Sequence, residues 1–275
     1  MARRDVQHPE DMSYGEGCGP LAIAHRGGAG LAQENSMAAF GLASALGLRY
    51  LETDVRVTSD GQLVCFHDET LGRVTSVRGS VRSKSLPELR QLRINGTEPI
   101  PTFEEALDAF PGHFFSVDLK EQAAIGPLVK VLRREGVAER VCVAGAWDGW
   151  LGHVRREVPG ITTALGWRSL TALLSCARAG LRPPKALATA PFAHVPIKLG
   201  RLPIFVDRLV AMAQDIGVQV VTWTVDEPVV MRGLLDAGVA AVITDRPDVL
   251  REVLIQRGTW QAPRTGQPLL LSTTE

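Results

Sequence analysis

The chain of 275 residues is 45% hydrophobic and sets thirty basic side chains against thirty acidic ones, enough to bury a sizeable core, either as two modest domains or as one α/β barrel, with no overall field to draw it to nucleic acid or an anionic membrane. No run of about 18 apolar residues exists and the polar start from Met1 to Gly19 lacks the apolar core of a signal peptide, so a membrane-spanning helix is excluded and a cytoplasmic location is expected. Cys18, Cys65, Cys142 and Cys176 are widely spaced and indicate neither a disulfide framework nor a zinc knuckle.

After a segment over residues 1–19 expected to be flexible, Leu21-Ala22-Ile23-Ala24 reads as a buried strand running into His25-Arg26-Gly27-Gly28-Ala29-Gly30. Glycines there let the backbone turn sharply and approach a ligand. Asn35-Ser36 offers a cap to a helix carrying Met37, Phe40, Leu42 and Leu46, which Gly47 ends. The next strand, from Arg49 to Val57, carries Glu52 and Asp54 on one face, roughly 6–7 Å apart. Two buried carboxylates call for a positive partner, and oxygen ligands suit Mg²⁺ or Ca²⁺ better than Zn²⁺. The plainer alternative is a strand with one acid in a salt bridge and the other in solvent. Arg56 points to the other face and reads as structural.

Gln62 to Phe66 is another extended run and delivers His67-Asp68. From Asp68 to Pro101 helical spacing is weak until Leu86 to Leu92, and loops of this length are functional or disordered. The segment is expected to be an inserted lid, with six basic residues against four acidic ones. Thr102 caps a helix through Phe110, and Phe114 to Lys120 is a strand with Asp118 and Lys120 on one face. Helices are expected around Ile125 to Arg134, Trp147 to Glu157, Ser169 to Ala179, Leu202 to Ile216, Glu227 to Ala237 and Asp248 to Gln256. Strands fall between them at Val141 to Ala144, Ile161 to Leu165, Lys185 to Thr189, Val218 to Thr224 and Ala240 to Thr244, while Ala190 to Gly200 reads as irregular.

Eight or so strands alternating with helices argue for a parallel sheet, whose natural closed form at this length is a (βα)8 TIM barrel over residues 20–256, with the lid at 68–101 and a tail at 257–275. An open doubly wound sheet is the competing architecture, but Gly27, Gly28 and Gly30 do not make its dinucleotide fingerprint. In a barrel the C-terminal strand ends meet on one face, which gathers His25, Arg26, Glu52, Asp54, His67, Asp118 and Lys120. Acids for a divalent ion, cations for anionic oxygens and two imidazoles for proton transfer make a kit for metal-assisted cleavage of a phosphate ester.

His25-Arg26-Gly27 with Glu34-Asn35-Ser36, Glu52-Thr53-Asp54-Val55 with Thr58 and Asp60-Gly61, His67-Asp68, Asp118-Leu119-Lys120, Trp223-Thr224-Val225 and Thr244-Asp245-Arg246-Pro247 together resemble the glycerophosphodiester phosphodiesterase family in order and spacing, from residue 25 to about residue 254. The resemblance implies that Glu52, Asp54 and Asp118 bind one divalent cation, Mg²⁺ or Ca²⁺ with Mn²⁺ as an option, that His25 and His67 are general acid and base, and that Arg26 and Lys120 contact the phosphate. It implies hydrolysis of small-molecule glycerophosphodiesters to sn-glycerol 3-phosphate and an alcohol. Three positions depart from the family: Asp118 stands where Glu is usual, Ser36 where Thr is usual, and Asp226 where Asn is common. Trp223 reads either as core packing or as an aromatic wall for the substrate, and Asp245 with Arg246 as an ion pair at the barrel bottom. His8, His113, His153 and His194 read as ordinary hydrogen-bonded residues. Lysophospholipase D or sphingomyelinase D-like activity on lipid diesters is the alternative enzyme, less suited to a polar, basic lid. A barrel acting only as a binding module is the non-enzymatic alternative.

Overall fold

The computed structural model describes residues 12–17, 19–199, 202–203 and 206–261, so the expectations for His8, Cys18 and the tail beyond Gln261 fall outside the described residues. The strands are β1 (Leu21–Ala24), β2 (Tyr50–Val57), β3 (Leu63–Cys65), β4 (Phe114–Leu119), β5 (Val141–Gly145), β6 (Thr162–Thr163), β7 (Phe192–Pro196), β8 (Lys198–Leu199), β9 (Leu202–Pro203), β10 (Gln219–Trp223) and β11 (Ala241–Thr244). The helices are α1 (Met37–Ala45), α2 (Leu86–Leu89), α3 (Phe103–Ala109), α4 (Ile125–Leu132), α5 (Asp148–Glu157), α6 (Trp167–Ala179), α7 (Val206–Asp215), α8 (Pro228–Asp236) and α9 (Pro247–Gln256). Eight strands lie parallel in the order β6-β5-β4-β2-β1-β11-β10-β7, and a parallel bridge between Ala164 and Phe192 joins the two ends of that row. This is the expected (βα)8 barrel.

Side-chain alternation sorts each strand between two cores. Ile23, Tyr50, Phe114, Cys142, Ala144, Ala164, Phe192, Val221, Ala241 and Ile243 fill the barrel interior. Ala24, Leu51, Val55, Phe115, Val117, Leu119, Val143 and Val195 pack outward against the helices. Tyr50, Glu52 and Asp54 therefore share the inner face of β2, as Phe114, Ser116 and Asp118 do on β4. The register pairs Glu52 with Ser116 and Asp54 with Asp118. Apolar residues occupy the lower layer of the barrel and acids the upper one.

Four expectations change. The run ending at His67 is not a barrel strand: β3 pairs antiparallel with β2, Val55 opposite Cys65, so His67 arrives on a hairpin that extends above the barrel. Lys185–Leu187 is a 3-10 turn rather than a strand. The seventh barrel strand is β7, in the stretch expected to be irregular, where His194 and Pro196 mask an alternation in which Ala193 and Val195 face the helices. At the start of the chain the flexible segment does not extend over Met12–Gly17. Tyr14 is buried, its amide donates to the Glu139 carbonyl (2.7 Å), and its ring stands edge-on to Tyr50, Phe114 and Phe192, closing the lower end of the barrel.

The segment after His67 has a small core of its own. Phe66, Leu71, Val74, Val81, Leu89, Ile94 and Ile100 pack together with Val64, and outside α2, within the expected Leu86 to Leu92 run, they are spaced without helical or strand period. Ser85 and Glu88 form a capping box on α2, and Thr102 with Glu105 does the same on α3. Among the described residues no helix is long and apolar enough to cross a membrane.

Candidate active site

The β1–α1 loop brings the first pair of functional side chains. Arg26 holds a left-handed backbone (φ 49°), a conformation that disfavours a residue with a Cβ and is kept only where its surroundings impose it. Its amide donates to Glu52 Oε2 (2.7 Å), its Nη1 donates to Glu34 Oε1 (3.0 Å), and its Nε lies 3.4 Å from Asp54 Oδ2 while buried without a hydrogen bond. Gly30 lets this loop lie against the loop after β11: its amide donates to the Asp245 carbonyl (2.9 Å), and a Cβ there would stand 2.7 Å from that same oxygen.

That approach puts Asp245 beside His25, with Oδ1 2.7 Å from Nδ1. The expected Asp245–Arg246 ion pair is not formed. Arg246 pairs with Asp248 (2.7 Å), Asp245 holds the imidazole at the upper end of the barrel, and Asp226 accepts from the Asp245 amide (2.8 Å) and from Thr244 Oγ1 (2.9 Å). His67 is held the same way by Asp68, at 2.6 Å from Nδ1, while Arg56 Nε donates to the His67 carbonyl (2.9 Å). Both rings thus spend Nδ1 on a carboxylate and keep Nε2 for other chemistry.

Charge within the site is unevenly shared. Burial disfavours the charge on Asp54, but the Lys120 ammonium (2.9 Å) and the Arg26 guanidinium outweigh it and hold the carboxyl below its usual range. Glu52 has the His25 imidazole 3.9 Å away, but this does not offset burial and the neighbouring Asp54, which push its carboxyl up to about 7. Lys120 also donates to Asp118 Oδ2 (2.6 Å), so its ammonium sits between two of the three acids. His25 would be lowered by burial, but Glu52 and then Asp245 outweigh that and raise it.

His25, Arg26, Glu52, Asp54, His67, Asp118, Lys120 and Trp223 all line one cavity of about 280 Å³ at the C-terminal mouth. Trp223 also packs against the interior core, so its side chain lies between that core and the cavity. Among the described residues no three His, Cys, Asp or Glu side chains are gathered closely enough to form a ready metal cage.

Several contributors were not evident from residue type. Asn35 is buried, its Oδ1 accepting from Thr53 Oγ1 (2.7 Å) and its Nδ2 donating to Asp54 Oδ2 (2.9 Å); it positions Asp54, while Ser36 caps α1. Replacing Asn35 by alanine is expected to cost about 1–3 kcal/mol in chemical denaturation, because a buried hydroxyl and a buried carboxylate lose partners. Glu34 receives Arg73 in two hydrogen bonds (2.8 and 2.6 Å), and Arg73 also reaches Asp68, so one guanidinium ties the β1–α1 loop to the loop after β3. Burial opposes the charge on Asp68, but Arg73 and His67 pull its carboxyl down to about 2.

His194, expected to be hydrogen-bonded, lines the cavity with a buried Nε2 that has no partner, and burial lowers it to about 4. Burial also lowers His113 to about 4, with Arg49 and Arg140 adding to the effect. Each imidazole binds its proton more weakly folded than unfolded, so between pH ~6.5 and ~4 the unfolded chain takes up more protons and stability falls as the pH drops. Thermal melts from pH 7 to 4.5 should show that decline, and it should be shallower in His194→Gln.

The model of the glycerophosphoryl diester phosphodiesterase family matches residues 25–249. Over 246 residues the chain is 36% identical to a probable glycerophosphodiester phosphodiesterase of Mycobacterium tuberculosis, covering 88% of this chain and 93% of that one. It is 27% identical over 270 residues to a lysophospholipase D of Rattus norvegicus, covering 84% and 85%. The solved structure of an Oleispira antarctica phosphodiesterase in complex with the product sn-glycerol-3-phosphate superposes with a TM-score of 0.71 at 24% identity, over 86% of this chain and 97% of that one, which is a likeness of fold. With a family match that begins at His25 and takes in both imidazoles and all three acids, the chain belongs to the glycerophosphoryl diester phosphodiesterase family.

Proposed function

We propose that this enzyme hydrolyses glycerophosphodiesters to sn-glycerol 3-phosphate and an alcohol, with His25 as general acid and His67 as general base. The observation that carries the reading is the matched anchoring of the imidazoles, Nδ1 on Asp245 in one and on Asp68 in the other, above a cavity that also holds Arg26 and Lys120. His67 takes a proton from the attacking water, whose oxygen bonds to phosphorus. The ester bond to the alcohol breaks, and His25 gives the departing alkoxide its proton. Elevation of His25 suits it to the acid's part, since it keeps its proton to higher pH. Arg26, whose buried Nε lacks a hydrogen bond, and Lys120 offset the negative charge that builds on the phosphoryl oxygens.

Glu52, Asp54 and Asp118 are the residues that would hold a divalent cation. An all-oxygen set suits a hard ion, and a buried Glu52 carboxyl pushed up to about 7 is a charge in want of a positive partner. Such an ion would supply Lewis-acid polarisation of the phosphoryl group. Incubation with glycerophosphocholine, followed by detection of sn-glycerol 3-phosphate with and without chelator, tests both parts. Product that disappears with chelator and returns with Mg²⁺ or Ca²⁺ is expected; full turnover in chelator would remove the cation, and no product from any glycerophosphodiester would remove the function. The rat lysophospholipase D favours a second reading, cleavage of lysophospholipids, which the same assay with a long-chain substrate would reveal.

A further inference from the structure

The proposed chemistry uses the β1, β2 and β4 side of the cavity and leaves the β5–β6 side without a role. There Trp147 precedes α5, Trp150 lies in its first turn and Trp167 begins α6, and all three line the same cavity as the two imidazoles. Trp147 is 61% exposed and Trp167 42%, an unusual amount of bare indole at the mouth of a site. We propose that these three rings seat a quaternary ammonium group, so that the preferred leaving alcohol is choline or a close analogue. This deepens the glycerophosphodiester reading and rests on it.

Three observations select that chemistry. The Trp147 and Trp150 ring centroids are 6.1 Å apart with planes inclined at 57°, forming a corner in which one cation can lie within about 6 Å of both rings. The other residues that β5, β6 and the helices after them place on the cavity are Ala144, Gly145, Ala146, Ala164, Leu165 and Leu170, with no acid, amide or hydroxyl. The hydroxyls of a polyol or the N–H groups of a primary ammonium would find no side-chain acceptor there, since an indole N–H only donates. A trimethylammonium has no N–H to satisfy and is attracted to aromatic faces. At about 280 Å³ the cavity is also at the small end of ligand pockets, roughly 300–1,000 Å³, which suits a compact head group better than a long acyl chain.

The corner is also built to stay in place. Asp148 Oδ2 accepts from the Arg168 amide (3.0 Å), its Oδ1 accepts from the Ser169 amide (3.3 Å) and from Ser169 Oγ, and the Trp167 amide donates to the Ala146 carbonyl (2.9 Å). Gly166 permits this closeness, because a Cβ there would lie 2.5 Å from the Asp148 backbone nitrogen. The two loops are stitched together before any ligand arrives, so little ordering is left to oppose binding.

The test measures kcat/KM for glycerophosphocholine and for glycerophosphoglycerol in the wild type and in Trp147→Leu, alongside tryptophan-fluorescence titration with choline and with its neutral isostere 3,3-dimethylbutan-1-ol. Trp147→Leu keeps the apolar bulk of an exposed residue and removes its π face. We expect the wild type to favour the choline diester, the ratio to fall roughly tenfold in the variant, and choline to bind roughly tenfold more tightly than the isostere. An unchanged ratio, or equal binding of the two alcohols, would overturn the proposal. If the wild type cleaves no glycerophosphodiester the function fails instead, and the two titrations still decide whether the rings hold a cation.

Discussion

Replacing His25 or His67 with alanine should lower kcat/KM by ~10²–10⁴-fold in each case, the range general acid–base catalysis supplies, and should remove opposite limbs of the pH profile. Glu52 and Asp245 outweigh burial to raise His25, so it holds its proton to higher pH. An acid must be protonated to act, so the alkaline limb of the wild-type bell belongs to His25 and should vanish in His25→Ala. The base must be free of its proton, so the acid limb belongs to His67 and should vanish in His67→Ala. The double variant should lose little more than either single one, because each proton transfer serves one displacement. A substrate whose leaving alcohol is already acidic, such as a nitrophenyl ester, needs no proton on departure. With it His25→Ala should recover most of its rate and His67→Ala should not. Reversed limbs would exchange the two roles; full turnover in either variant would dismiss that histidine from the reaction.

The period-two reading of Glu52 with Asp54, and of Asp118 with Lys120, was sufficient to place these side chains on one interior face, because strand alternation is a local property. It could not show that Lys120 bridges Asp54 and Asp118, which depends on the β2–β4 register. Asp245 and Asn35 stood inside motifs singled out from sequence, yet their tasks hinge on loops far apart in the chain: Gly30 lying on Asp245, and Asn35 turning inward to Thr53 and Asp54. The seventh strand escaped notice because His194 and Pro196 interrupt its apolar pattern, and the inward His194 faces the cavity rather than a core. The tryptophans carried one readable signal: three of the chain's five fall between Trp147 and Trp167, each just after a barrel strand, where ligand-facing loops lie.

Divalent cation should stabilise the wild type and leave Glu52→Gln unmoved. Free of metal, Glu52 carries a carboxyl pushed up to about 7 by burial and by Asp54. A folded-state pKa above the unfolded one means the contribution to stability is complete below the unfolded value and is lost as the pH rises through about 7. In chelator the wild type should therefore melt lower at pH 8 than at pH 6, with a weaker dependence in Glu52→Gln, whose amide has no proton to lose. A cation at a hundredfold excess over its dissociation constant adds ~2.7 kcal/mol, which in a chain of this size raises Tm by roughly 5–10 °C. The gain should grow with pH as the carboxylate is freed, and Asp118→Glu, which keeps a carboxylate at that position, should retain it. Lys120 supplies the competing account, since its ammonium already lies within 2.9 Å of Asp54 and 2.6 Å of Asp118. If neither Mg²⁺ nor Ca²⁺ moves the wild-type Tm between pH 6 and 8 and chelator spares turnover, Lys120 alone balances the acids. Lys120→Met should then depress Tm more than Glu52→Gln does, because it strands two carboxylates at once.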